Sequence, residues 1–159
     1  DTGSRGLGDV YKRQTHIFAG AAADPNCRNQ RSLETRMRKK KEAGAGFIQT
    51  QMVMERENLM EFCEKISNPL EIPVIAGVFL LKSYKNALFI NKYVPGANIP
   101  ENIINRLKNA KDPLQEGIQI AAEQAKDFIN IADGVHLMAV KAEHLIPEIL
   151  KKAELTLEY

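Results

Sequence analysis

Short apolar runs alternate four times with amphipathic stretches along this chain, and that alternation restricts the fold more than any other feature. Ile17 to Ala23 is an apolar run ending in the turn cluster Asp24-Pro25-Asn26, which reads as a buried strand feeding a loop. Leu33 to Ala43 follows, with Glu34 early and Arg36, Arg38, Lys39, Lys40 and Lys41 late. That order suits a helix dipole, and Gly44 is placed to stop the helix. Phe47 to Gln51 predicts a second strand. Leu59, Phe62, Cys63 and Ile66 then recur at i, i+3, i+4 and i+7, a helical stripe broken by Asn68-Pro69. Pro73 to Leu81 supplies a third strand. Tyr84, Ala87 and Leu88 begin a helix that ends around Pro95-Gly96, and Pro100 opens another containing Ile103, Ile104 and Leu107. Pro113 starts a longer helix running to Ile129. Gly134 leads into a fourth strand, Val135 to Val140, and Leu145 to Ala153 closes the pattern with a helix.

Strands alternating with helices imply right-handed parallel crossovers, and continuous apolar strands imply a sheet covered on both faces. The class is α/β. Four βα units make half of an eight-fold barrel or most of a small doubly wound sheet, and periodicity does not choose between them. No Gly-x-Gly-x-x-Gly follows any strand, which weighs against the dinucleotide-binding version.

Charge narrows the partners. Lys and Arg total 22 against 20 Asp and Glu, so the net charge of +2 gives no field that argues for nucleic acid or an anionic membrane. Cys27 and Cys63 lie far apart with no Cys-x-x-Cys or Cys/His ligand spacing, so neither a disulfide framework nor a metal site is expected, and a reducing cytoplasm suits the chain. Val74 to Leu81 is far shorter than the roughly 20 apolar residues of a membrane span, so a soluble protein is expected.

The segment Ser4 to Gln14 shows no apolar periodicity and resembles the in-frame translation of a sequencing adapter, so residues 1–14 are set aside as non-native and 15–159 are taken as the folded part. On this reading sequence upstream of Thr15 has been lost. A phosphate loop at Gly6-Leu7-Gly8 is the competing view, but no strand precedes it and no third glycine follows.

Within 15–155, the Ala-Ala-Asp-Pro-Asn turn, the basic helix and Glu42-Ala43-Gly44-Ala45-Gly46-Phe47-Ile48-Gln49-Thr50-Gln51 together resemble the methylenetetrahydrofolate reductase family. Ile72 to Val78, Ala97-Asn98-Ile99-Pro100 and Gly134-Val135-His136-Leu137-Met138 continue the similarity in order. The resemblance implies a (β/α)8 TIM barrel, with this chain as strands five to eight and their helices. It also implies a flavin-dependent oxidoreductase of one-carbon metabolism that reduces 5,10-methylenetetrahydrofolate to 5-methyltetrahydrofolate, with FAD as cofactor. NAD(P)H or an accessory electron-transfer protein would be the electron donor, and the full-length enzyme would be a homo-oligomer. Two other readings stay open: a non-catalytic folate- or partner-binding half-barrel, and a different barrel enzyme of pterin or corrinoid metabolism.

By the same resemblance Ala23, Asp24 and Asn26 lie against the flavin, although turn chemistry alone accounts for them about as well. Arg36, Lys39 and Lys40, and more weakly Arg28, match positions near the FAD diphosphate, where cations form charge-assisted hydrogen bonds. Arg38 and Lys41 read as a solvated helix face. Gln51 matches a glutamine that hydrogen-bonds the pterin, and strand alternation puts Gln49 and Gln51 on the same side of the sheet. Asn86 matches a second folate amide, one methylene shorter. Lys141 stands where relatives carry an arginine for the folate's glutamate tail, keeping the charge without the bidentate fork. His136 reads as structural, and His16 and His144 carry no partner signal. The family's acidic residues precede strand five, so no catalytic residue is assigned in this chain.

Overall fold

The protein is described by a computed structural model covering residues 16–155, so the set-aside segment at residues 4–14 lies outside the described residues. Four parallel strands, β1 (Gly20–Ala23), β2 (Phe47–Met52), β3 (Val74–Phe79) and β4 (Gly134–Met138), form one sheet in the order β1-β2-β3-β4. Sequential order without a reversal is the order of consecutive βα units in a barrel, whereas a doubly wound sheet reverses at a switch point. The α/β class with a parallel sheet is therefore as the sequence pattern predicts.

Six α-helices connect and flank the strands: α1 (Gln30–Glu42), α2 (Arg56–Phe62), α3 (Tyr84–Tyr93), α4 (Glu101–Asn109), α5 (Pro113–Phe128) and α6 (Ile146–Lys152). Helix α1 starts earlier than the acidic Glu34 suggested; its cap is Asn29, whose side chain accepts from the Ser32 amide, and its first turn holds no acid. Lys39, Lys40 and Lys41 do fall in its last turn, at the negative end of the dipole. Helix α2 runs on into a π-helical turn, Cys63–Ser67, before the Asn68-Pro69 break. Pro113 sits in the first turn of α5, where its missing N–H costs nothing.

Directly paired residues of a parallel sheet project to the same side. Ile48, Val74, Ala76 and Val78 are buried and join Leu33, Met37, Leu59, Phe62, Ile66, Ile118, Phe128 and Ile149 of the helices in the main core. The alternate residues, Phe47, Gln49, Ile75 and His136, are half-buried or exposed. At the C-terminal ends of the strands a second cluster forms, in which Met52, Met54 and Leu81 pack with Ala87, Ile90, Ile103 and Leu107 of α3 and α4. The expectation of a sheet covered on both faces is corrected: helices cover one face throughout, and the other only near the strand ends. The apolar runs that suggested double coverage reflect Ile75 and Phe79, whose side lacks a full cover among the described residues.

The first strand also differs. Only Gly20–Ala23 pairs with β2, while Ile17 and Phe18 are 81% and 76% exposed. Apolar character alone suggests burial, yet among the described residues β1 is a sheet edge and Phe18 stacks on Phe47 at a centroid distance of 5.5 Å instead of entering the core.

Candidate functional site

A cleft of about 610 Å³ runs along the less-covered face of β1 and β2, and its walls carry Gly20–Ala23, Asp24, Phe47, Gln49, Thr50, Gln51 and Met138. Cavities of a few hundred Å³ at strand C-terminal ends are the usual ligand sites of parallel barrels. Gln51 lines this cleft beside a bulge in β2. Gln49 pairs with Ile75 but Met52 pairs with Gly77, so β2 spends three residues where β3 spends two. The Thr50 hydroxyl fills the gap, accepting from the Gly77 amide at 2.8 Å and donating to the Gln51 carbonyl at 2.7 Å. Among the described residues the Gln51 side chain is anchored by one long contact, with Nε2 donating to the Pro95 carbonyl at 3.5 Å.

The loop after β1 is a tight turn. Asp24 accepts from the Asn26 amide through Oδ1 at 3.0 Å, and its carbonyl accepts from the Cys27 amide at 3.1 Å. Asn26 ties the β1 loop to three other segments: its Nδ2 donates to the carbonyls of Met52 at the end of β2 and of Gly96, each at 3.3 Å, and its Oδ1 accepts from Asn58 Nδ2 of α2 at 3.1 Å. Ala23 and Asp24 thus line the cleft, while the Asn26 side chain is engaged with protein.

The cations of α1 divide. Lys40 donates through Nζ to the carbonyl of Ala22, a cleft-lining residue. Arg36 and Lys39 face a separate depression shared with Asn29, Arg31, Ser32 and Thr35, and Arg36 also donates to Cys27 Sγ at 3.4 Å. Arg28 is exposed and lines neither. Arg38 pairs with Glu34 along the helix, as a solvated face would, but Lys41 donates to the Leu70 carbonyl and so holds α1 to the segment before β3.

Asn86 and Lys141 stand apart from the cleft walls. Asn86 Oδ1 accepts from the Lys82 amide at 3.1 Å, while its own amide donates to the Ser83 cap at 3.1 Å, so its side chain serves the N-terminus of α3. Lys141 adopts φ 56° in the exposed turn after β4, and its amide donates to Glu143 at 3.1 Å. The backbone amides of Glu143 itself and of Lys141 hold the Glu143 carboxyl below its usual range. Lys82 reaches the same turn, donating to the Val140 carbonyl at 2.8 Å.

Sequence reasoning passed over Phe47, Gln49, Thr50 and Met138 as site residues. Gln49 was within reach, two positions before Gln51 on an alternating strand, and it meets His136 Nδ1 at 3.1 Å. Thr50 carried no signal, because its role depends on a bulge that only pairing with Gly77 reveals.

Compared with known families, the chain matches methylenetetrahydrofolate reductase over residues 8–154. The chain belongs to the methylenetetrahydrofolate reductase family. A search of curated proteins finds no match. Among solved structures, the reductase-family chain is similar to an uncharacterized protein from Clostridium thermocellum that binds two copies of 5-methyl-5,6,7,8-tetrahydrofolic acid, at 20% identity and a TM-score of 0.65. That likeness covers 86% of this chain and 52% of the other, so this family member spans about half the length of that structural relative. At this identity the likeness establishes the shared fold. Among the described residues no helix is long and apolar enough to cross a membrane, and no group of His, Cys, Asp or Glu is arranged to hold a metal.

Proposed function

We propose that this chain supplies the last four βα units of a (β/α)8 barrel, strands five to eight, in a longer reductase that converts 5,10-methylenetetrahydrofolate to 5-methyltetrahydrofolate. The observation that carries the proposal is the cleft that joins the β1 turn to the two glutamines of β2. An amide side chain offers both donor and acceptor to a heterocycle edge, which suits a pterin at Gln51. Family membership and a structural relative that binds 5-methyltetrahydrofolate support the same substrate class.

FAD is the cofactor the family implies, and the residues present fit it in part. Ala23 and Asp24 would border the ring system or its polyol chain, and Lys40, at the Ala22 carbonyl of the cleft wall, would meet an anionic group there. Arg36 and Lys39 share a depression with Arg31 whose charge suits a diphosphate. The flavin, when bound, supplies the hydride chemistry, and the chain's own residues position the ring and the folate against it. Asn86 and Lys141 would join the folate site through movement of the rim turns, Lys141 toward the glutamate tail. The donor, NAD(P)H or an accessory protein, would approach the same cleft.

A second reading is favoured by one observation: the structural relative binds folate and is described by that binding. A non-catalytic folate module needs no general acid, and Asp24 is the only carboxylate in the cleft wall among the described residues. The parent protein, expressed whole, separates the two. A reductase purifies yellow, and its flavin bleaches with 5-methyltetrahydrofolate; a colourless protein that still binds this folate is a module; a folded protein that does neither overturns both.

A further inference from the structure

Gln49 and His136 come from β2 and β4, strands separated by β3, and still meet at 3.1 Å between Nε2 and Nδ1. Two inter-strand spacings amount to roughly 9.5 Å, a gap that the two side chains together can span if nothing stands between them. Gly77 of β3, the register partner of His136, has no side chain to block the way. Which partner donates depends on the imidazole tautomer: with the ring proton on Nε2, Nδ1 accepts from the Gln49 amide nitrogen.

In that tautomer the bond sets which end of the Gln49 amide faces the cleft. Its nitrogen is turned toward β4, and its carbonyl oxygen has no protein partner among the described residues. Gln51 repeats the arrangement, with its nitrogen turned toward Pro95 and its carbonyl oxygen likewise without a protein partner. We propose that His136 is a positioning residue that locks Gln49, so that Gln49 and Gln51 present two carbonyl acceptors to the N–H-bearing edge of a flat heterocycle. The pyrimidine ring of a pterin, with its ring N–H and exocyclic amine, has such an edge. The inference rests on the folate reading and deepens it, because it assigns the recognition to ring donors and names a residue outside the cleft wall that enforces it.

The test is calorimetric titration of 5-methyltetrahydrofolate into the full chain and into His136→Leu, His136→Asn, Gln49→Leu and the Gln49→Leu/His136→Leu double variant. Thermal melts establish folding, and nitrogen-15 shifts of the imidazole report the tautomer. The expected result is a loss of about tenfold in affinity for each Leu variant, with the double variant no worse than Gln49→Leu alone. His136→Asn, whose side-chain oxygen falls near the position of Nδ1, restores most of the affinity, and a purely structural role for the ring would not give that rescue. Additive losses, a folded His136→Asn that binds as poorly as His136→Leu, or a proton on Nδ1 would each overturn the proposal. Wild-type protein that binds no folate defeats the folate reading and this inference with it. Wild-type binding that the variants leave unchanged defeats the inference alone.

Discussion

A Cβ at Gly77 would stand 2.8 Å from the Gln51 carbonyl oxygen, 2.9 Å from that of Thr50 and 3.0 Å from the Met138 methyl. Two of these neighbours are backbone, so neither yields by a rotamer change. Gly77→Ala should therefore destabilise the fold by about 1–3 kcal/mol and push Gln51 from its place, lowering ligand affinity beyond the loss in stability. Urea unfolding and a folate titration on the same variant measure both, and an alanine that binds like wild type would show that the bulge does not aim Gln51. At this scale the sequence was informative where a role follows from local geometry. Gln51 could be placed on the cleft side of the sheet from strand alternation, whereas Asp24 was suggested only by family resemblance, since turn chemistry alone accounts for it as well. Asn26, Asn86 and Lys41 could not be read, because their partners Asn58, the Lys82 amide and the Leu70 carbonyl are chosen by folding and not by spacing.

Among elements, α2 and the paired helices α4 and α5 carry the clearest energetic consequences. Phe62 is fully buried between α2 and the sheet, so Phe62→Ala should cost about 3–5 kcal/mol, read by denaturant unfolding. Arg106 of α4 bonds to Glu116 at 2.7 Å and to Glu123 at 2.6 Å, both on α5. The bond to Arg106 holds the Glu123 carboxyl below its usual range. A carboxylate whose folded pKa is depressed contributes stability above its unfolded pKa and loses it as pH falls through the folded value. Arg106→Leu should thus lower stability at neutral pH by a modest amount, of order 1 kcal/mol for so exposed a group, and match wild type once the medium is acid enough to protonate Glu123. An equal deficit at both pH values would assign the effect to packing. Helix existence was legible from the 3.6-residue period, since α5 announces itself through Pro113 and four turns of apolar spacing. Strand limits were less so: at Ile17 to Ala23 hydrophobicity marks the run but not whether a neighbouring strand exists to bury it.

For the whole molecule, the sequential parallel sheet decides the class, and the less-covered face decides the behaviour. Ile17 and Phe18 beside β1 and Val140 beyond β4 are 81%, 76% and 55% exposed, at the two edges of a sheet whose outer strands have no further partner among the described residues. Unpaired edges of this kind template association. The chain by itself should associate reversibly, its sedimentation coefficient rising with concentration; a monomer at every concentration would mean that the edges are protected. The alternation of strands and helices made the α/β class legible, whereas the barrel is suggested by family resemblance and not by periodicity. The most direct measurement is the heat of 5-methyltetrahydrofolate binding to the full chain and to Gln51→Leu. A folate cleft at Gln51 predicts saturable binding that weakens about tenfold when the amide is removed. Equal affinity in the two proteins, or no binding in either, would contradict it.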